Sequence, residues 1–130
     1  MQPIDTTAVQ EALNRLANRD IYIHLETTNG AYASHHNEGF FSAGAYIRNA
    51  LIRFTRGKIT GPGPYRVGLK LDIGWVYAEG LTHWEWTKEG QLLLAGHDYE
   101  GKLAVALELS DKPFAGSVKS FMKTPHPPSH

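Results

Sequence analysis

The stretch that decides the fold is Leu81-Thr82-His83-Trp84-Glu85-Trp86-Thr87-Lys88-Glu89-Gly90-Gln91-Leu92-Leu93-Leu94-Ala95-Gly96-His97-Asp98-Tyr99-Glu100-Gly101-Lys102-Leu103-Ala104-Val105-Ala106-Leu107-Glu108-Leu109-Ser110. It reads as three strands in a meander, Leu81–Thr87, Gln91–His97 and Lys102–Ser110. Side chains alternate across a strand, so period two marks a sheet with one buried face. Lys88-Glu89-Gly90 has the form of a three-residue hairpin loop closed by a G1 bulge. That loop pairs Trp86 with Leu92 and Trp84 with Leu94. For the second turn, pairing His97 with Lys102 sets Leu94 opposite Val105 and Leu92 opposite Leu107. A slip of one residue would set Leu94 opposite Ala106 and turn every side chain over. The first register gives a continuous apolar face of Trp84, Trp86, Leu92, Leu94, Leu103, Val105, Leu107 and Leu109. The other face is mixed, and includes His83, Glu85, Ala95, His97, Ala106 and Glu108.

Upstream, Ile21 to Glu26 alternates in the same way. Asn29-Gly30 is a strong two-residue hairpin signal, because both central residues of a type I′ turn need positive φ. The returning strand is expected over Ala31 to His36. A long strand is expected over Ala45 to Phe54, with Ile47, Asn49 and Leu51 on one face and Arg48, Ala50, Ile52 and Phe54 on the other. Gly61-Pro62-Gly63-Pro64 is a rigid turn, and Tyr65–Asp72 and Gly74–Glu79 are two further strands. Before all of these lies one amphipathic helix, about residues 6–18, with Val9, Ala12, Leu13, Leu16 and Ala17 on one face. Thr7 and Gln10 have capping-box spacing, with Asp5 and Thr6 as alternative caps.

The expected fold is therefore mainly β: a single-domain antiparallel β-barrel, or a strongly curved sheet or sandwich, with the N-terminal helix packed on it. The domain is expected over residues 1–123, with 124–130 a flexible tail. The 130-residue chain carries 13 basic and 13 acidic residues and no cysteine. It has no disulfide, thiolate nucleophile or sulfur-based metal site. Neutral net charge argues against general binding to nucleic acid or acidic membranes. No basic and apolar leader and no bilayer-length apolar run are seen, so a cytoplasmic location and no membrane are expected.

Candidate chemistry rests on histidines. In the expected hairpin, His24 faces His35 with Cβ atoms roughly 4.5–5.5 Å apart, and Glu26 shares that face. His24, Glu26 and His35 are thus the candidate ligands for a divalent metal, the one cofactor this set would take. His83, Glu85 and His97 are the candidate acid/base group, with the two rings diagonal and roughly 7–8 Å apart. Solvated or hydrogen-bonded polar faces account for both sets more simply. Trp75, Tyr77 and Arg48 are candidate ligand-groove residues, while Trp84 and Trp86 point to the core. Arg48, Arg53, Arg56, Lys58, Arg66 and Lys70 put six of the 13 basic residues between positions 48 and 70. Basic and aromatic residues on strands suit single-stranded nucleic acid. The arginines fall on both faces of the Ala45–Phe54 strand, however, and that argues against a one-sided platform.

Three stretches carry a family resemblance. They are His24-Leu25-Glu26-Thr27-Thr28-Asn29-Gly30-Ala31-Tyr32-Ala33, Phe40-Phe41-Ser42-Ala43-Gly44-Ala45-Tyr46-Ile47-Arg48-Asn49 and Gly61-Pro62-Gly63-Pro64-Tyr65-Arg66-Val67-Gly68-Leu69-Lys70. The chain resembles the YojF-like family, small uncharacterised proteins of bacilli. The resemblance implies a β-rich domain and a genomic association with a sugar N-acetyl deacetylase of bacillithiol-type thiol metabolism. It carries over no catalytic residues. The leading expectation is a non-catalytic binding or accessory protein. Its expected partners are that deacetylase and a second copy of the chain meeting at sheet edges. A histidine-based metal or acid/base enzyme and a single-stranded nucleic-acid binder are the alternatives, the latter disfavoured.

Overall fold

The computed structural model describes residues 1–28 and 44–115. A short strand β1 (Gln2–Pro3) precedes helix α1 (Thr6–Leu16). Asp5 is the N-cap, and its side chain accepts the Ala8 amide at 3.2 Å. Gln10 is therefore released from the expected capping box, and its amide serves a sheet edge. The strands that follow are β2 (Ile21–Thr27), β3 (Tyr46–Ile52), β4 (Phe54–Thr60), β5 (Tyr65–Leu71), β6 (Trp75–Leu81), β7 (His83–Trp86), β8 (Leu92–His97) and β9 (Leu103–Ser110).

These strands make two antiparallel sheets rather than a closed barrel. One has six strands in the order β1-β7-β8-β9-β2-β3, and the other has three, β4-β5-β6. Val9, Leu13 and Leu16 of the helix join Ile21, Ile23, Phe54, Val67, Leu69, Leu92, Leu94, Leu107 and Leu109 in one buried core. The helix also covers the edge of the smaller sheet. Gln10 Nε2 donates to the Gly57 carbonyl at 2.7 Å, and Gln10 Oε1 accepts the Ile59 amide at 3.2 Å. One side-chain amide thus satisfies β4 backbone groups that would otherwise be open to another strand.

The expected ten-residue strand Ala45–Phe54 is two strands in different sheets. The chain crosses at Arg53, whose guanidinium donates to the Asn18 carbonyl at 3.1 Å and to Asp20 at 3.2 Å. The Asn18 amide donates to the Phe54 carbonyl at 2.7 Å, and the Phe54 side chain is fully buried. The faces of β3 also differ from expectation. Asn49 has φ 58° and is the extra residue of a bulge: Ala50 faces Ile23 and Arg48 faces His24. Arg48 and Leu51 therefore share the face of His24 and Tyr22, while Ile47, Ala50 and Ile52 take the other face.

Both edges of β2 are filled, by β3 on one side and β9 on the other. The expected pairing of β2 with Ala31–His36 is thus replaced, and the positions opposite His24 are Arg48 and Glu108. The Asn29-Gly30 turn, His35, the residues 117–122 turn and the 124–130 tail lie outside the described residues.

In the meander, Trp86 faces Leu92 and Trp84 faces Leu94, as expected. The second hairpin is shifted. Leu94 faces Leu107 and Leu92 faces Leu109, two residues along from the expected partners. Its loop closes between Asp98 and Lys102, with the Asp98 amide donating to the Lys102 carbonyl at 2.8 Å and Gly101 at φ 84°. A bulge at Gly96/His97 completes the slip. A two-residue slip preserves which face each side chain takes, so Val105, Leu107 and Leu109 are still buried. Leu103 is the exception: it pairs with His97 beyond the bulge and is 39% exposed.

Candidate functional site

The outer face of β4–β6 is built by alternation. Arg56, Lys58 and Thr60 point out between the inward Gly57 and Ile59, and Arg66, Gly68 and Lys70 do so between Val67 and Leu69. Trp75, Tyr77 and Glu79 complete the face from β6. Cross-strand pairing sets three rows: Arg56–Lys70–Trp75, Lys58–Gly68–Tyr77 and Thr60–Arg66–Glu79. Four cations thus share one sheet face with one carboxylate.

Gly68 is the centre of this face. A β-carbon there would meet Tyr77 Cε1 at 2.8 Å and Trp75 Cε3 at 3.7 Å, so edges of the aromatic rings occupy the space glycine leaves. The rings are stacked, with centroids 5.5 Å apart and planes 6° from parallel. Both residues are nonetheless exposed, Trp75 at 44% and Tyr77 at 48%. Arg66 lies 5.0 Å over the Tyr77 ring and Lys70 lies 5.6 Å over Trp75. The order along the strands is therefore cation, ring, ring, cation, a stabilising arrangement of charge on π-faces.

The cations differ in how firmly they are held. Arg66 donates to Glu79 at 2.9 Å, and this hydrogen bond and the carboxylate charge raise its pKa. The Lys70 ammonium has a single hydrogen bond among the described residues, to the Leu71 carbonyl at 3.2 Å. Arg56 and Lys58 are exposed and have no ion-pair partner among the described residues. Together with Thr60, Arg66, Gly68, Trp75 and Tyr77 they line a shallow cleft of about 170 Å³.

The second face of the six-stranded sheet gathers a different polar group. His24 is only 5% exposed. Arg48 Nη1 lies 3.2 Å from His24 Nδ1, and a guanidinium can only donate. Nδ1 is therefore the acceptor and the ring proton sits on Nε2, which faces Glu26 Oε1 at 3.2 Å. Glu108 lies 3.9 Å from Arg48, and the Phe114 ring lies 5.1 Å from its guanidinium carbon. Tyr46 closes the cluster with a T-shaped contact to His24 at 5.4 Å. Asn49 holds Phe114 in place, accepting its amide at 2.8 Å. Arg48 Nε is buried without a hydrogen-bond partner among the described residues.

The expected sets are thus regrouped. Arg48 joins His24 and Glu26 rather than Trp75 and Tyr77. Its fixed charge beside Nδ1 works against a divalent cation there. No cluster of three or more metal-ligating side chains occurs among the described residues. His83 and His97 do come together, with ring centroids 5.9 Å apart. His83 Nδ1 is 2.7 Å from the Thr82 hydroxyl. Glu85 instead faces the N-terminal ammonium at 3.9 Å and is exposed. Trp84 and Trp86 pack partly buried against the core, with Arg15 over Trp86 at 5.5 Å. No helix among the described residues is long and apolar enough to cross a membrane.

Sequence reasoning missed Arg56, Lys58, Gly68 and Lys70 as members of one site with Trp75 and Tyr77. The signal was present: Arg56 to Thr60, Arg66 to Lys70 and Trp75 to Glu79 each alternate outward and inward residues.

Comparison with known proteins places the whole arrangement. An uncharacterised protein, YojF, of Bacillus subtilis (strain 168) is 53% identical over 114 residues, covering 88% of this chain and 98% of the relative. The crystal structure of Bacillus subtilis YojF superposes with a TM-score of 0.73 at 48% identity, covering 88% of this chain and 96% of that one. Residues 3–114 match the family described as "Protein of unknown function (DUF1806)", and the chain belongs to that family.

Proposed function

We propose that this is a non-catalytic binding protein that takes an anionic ligand on the outer face of β4–β6. One observation carries the reading: Arg56 and Lys58 stand exposed, with no ion-pair partner among the described residues, beside a stacked Trp75–Tyr77 pair. Exposed large aromatics cost solvation free energy, and uncompensated like charges repel. A face that keeps both is suited to a partner that neutralises one and covers the other. The histidine clusters support an enzyme less well. Both ring nitrogens of His24 are occupied, so it has no lone pair to offer a substrate until Arg48 moves.

The test is calorimetric titration with inorganic polyphosphate at low and moderate salt. Wild-type protein binds, more weakly as salt rises, and the Arg56→Glu/Lys58→Glu double variant does not. Equal binding by both proteins, or none by either, overturns the reading.

A protein-partner role has its own support in β3. This strand is an edge of the six-stranded sheet, and Tyr46, Ile47 and Leu51 on it are all exposed. An accessory protein for a sugar N-acetyl deacetylase, as the family resemblance implies, would dock there. Co-purification that a Leu51→Lys change abolishes would support this role. Failure of the two proteins to associate would remove it.

A further inference from the structure

We infer that the anionic ligand of the β4–β6 face is single-stranded nucleic acid, with one base stacked on Trp75 and phosphates on Arg56, Lys58 and Lys70. This rests on the reading of that face as an anion-binding surface and names the ligand class.

The size of the cleft is the first argument. At about 170 Å³ it is smaller than the roughly 300–1,000 Å³ of sites that enclose a whole small molecule. It holds one unit of an extended ligand whose remainder lies on open sheet. The spacing of charge is the second. Arg56 and Lys58 are two residues apart on one strand, roughly 6.6 Å, and Lys70 faces Arg56 across the ladder. Charge follows the strand, which suits a backbone with repeating phosphates better than a single anion.

The third argument is the unequal hold on the two ring-covering cations. Arg66 is tied to Glu79, so the covered face of Tyr77 stays covered. Lys70 is tied by one backbone hydrogen bond and can swing toward solvent. Its movement uncovers the Trp75 face and carries its ammonium toward the ligand. Trp75 is then the stacking platform and Tyr77 its support, with one ring edge seated on Gly68. Stacking of this kind tolerates any base, and the phosphate contacts are salt-sensitive.

The test measures binding of a short mixed-sequence oligonucleotide, single-stranded and as duplex, beside inorganic polyphosphate and phosphatidylserine-containing vesicles. The single strand binds best, with log affinity falling against log salt at a slope of about −2 for three phosphates. Trp75→Ala loses roughly 5- to 100-fold for the single strand and much less for polyphosphate, which has no base to stack. Trp75→Phe keeps most of the affinity, and both variants fold because residue 75 is exposed. If Trp75→Ala has no effect, or the duplex binds as well, base stacking is wrong while the anion-binding reading stands. Preferential binding to vesicles makes the ligand a lipid surface and overturns the inference. Failure to bind any of the four probes overturns both.

Discussion

The two polar faces of this protein handle charge in opposite ways. On the six-stranded sheet, His24, Glu26, Arg48 and Glu108 lean on one another, and Phe114 and Tyr46 close over them. On the three-stranded sheet, Arg56 and Lys58 have no such partners among the described residues, and Trp75 and Tyr77 are about half exposed. A polar set whose members bond one another around a buried His24 specifies structure, because removing one member strands the others. An exposed set left in excess of one sign has little to hold in place and is available to a ligand. The contrast assigns stability to the first face and binding to the second.

Four variants would break or sharpen that assignment. The largest effect is expected from Arg56→Glu/Lys58→Glu, which should weaken oligonucleotide binding by about 100-fold, through two lost phosphate contacts and added repulsion. Its denaturation midpoint should stay near that of the wild type, since exposed substitutions rarely cost much.

Arg48→Ala should do the reverse. It leaves His24 Nδ1 buried without a donor and removes the cation over Phe114, at a cost of about 2 kcal/mol in urea unfolding. Oligonucleotide affinity should not change. If affinity falls while stability holds, the roles of the two faces are exchanged.

Gly68→Ala is a smaller change on the binding face. Its new methyl displaces the Tyr77 ring, an exposed side-chain end that can move. Affinity should fall by about tenfold, with a change in Trp75 emission that reports the lost stack. The smallest effect belongs to Glu79→Gln. It removes the one carboxylate of the face and should tighten binding by about two- to threefold at low salt, with the gain vanishing at high salt.

Much of the architecture was written in the alternation of the meander. Leu92, Leu94, Leu107 and Leu109 are buried because period two fixes faces, and a slip of two residues leaves faces alone. The slip itself came from the Asp98–Lys102 loop and the Gly96 bulge. Gly101 sits in its loop as Gly90 does in the first, with φ 84° and 81°. Reading the second loop like the first closes it correctly at Asp98 and Lys102 but sets Leu94 opposite Ala106, and the bulge at Gly96/His97 supplies the further residue that brings Leu107 there.

The site was less legible, for a physical reason. Whether Arg48 and Arg56 share a surface depends on where the chain changes sheets, and that is decided by long-range contacts of Arg53 and Phe54 with the Asn18–Asp20 turn. No local pattern in Ala45–Phe54 announces the change. Once the strand is divided there, the objection that its arginines face both ways no longer applies to Arg56, Lys58, Arg66 and Lys70. His24 and Glu26 were singled out as a pair and are one, but their partner is Arg48, delivered by a bulge at Asn49 that alternation alone does not show.

The central claim is that the β4–β6 face binds and the His24 face does not. Amide and indole chemical shifts recorded while a single-stranded oligonucleotide is added test it most directly. The account predicts shifts clustered at Arg56, Lys58, Gly68, Lys70 and the Trp75 indole, with His24, Glu26, Arg48 and Glu108 unmoved. Shifts clustered at His24 and Arg48, or none at Trp75 under saturating ligand, would contradict it.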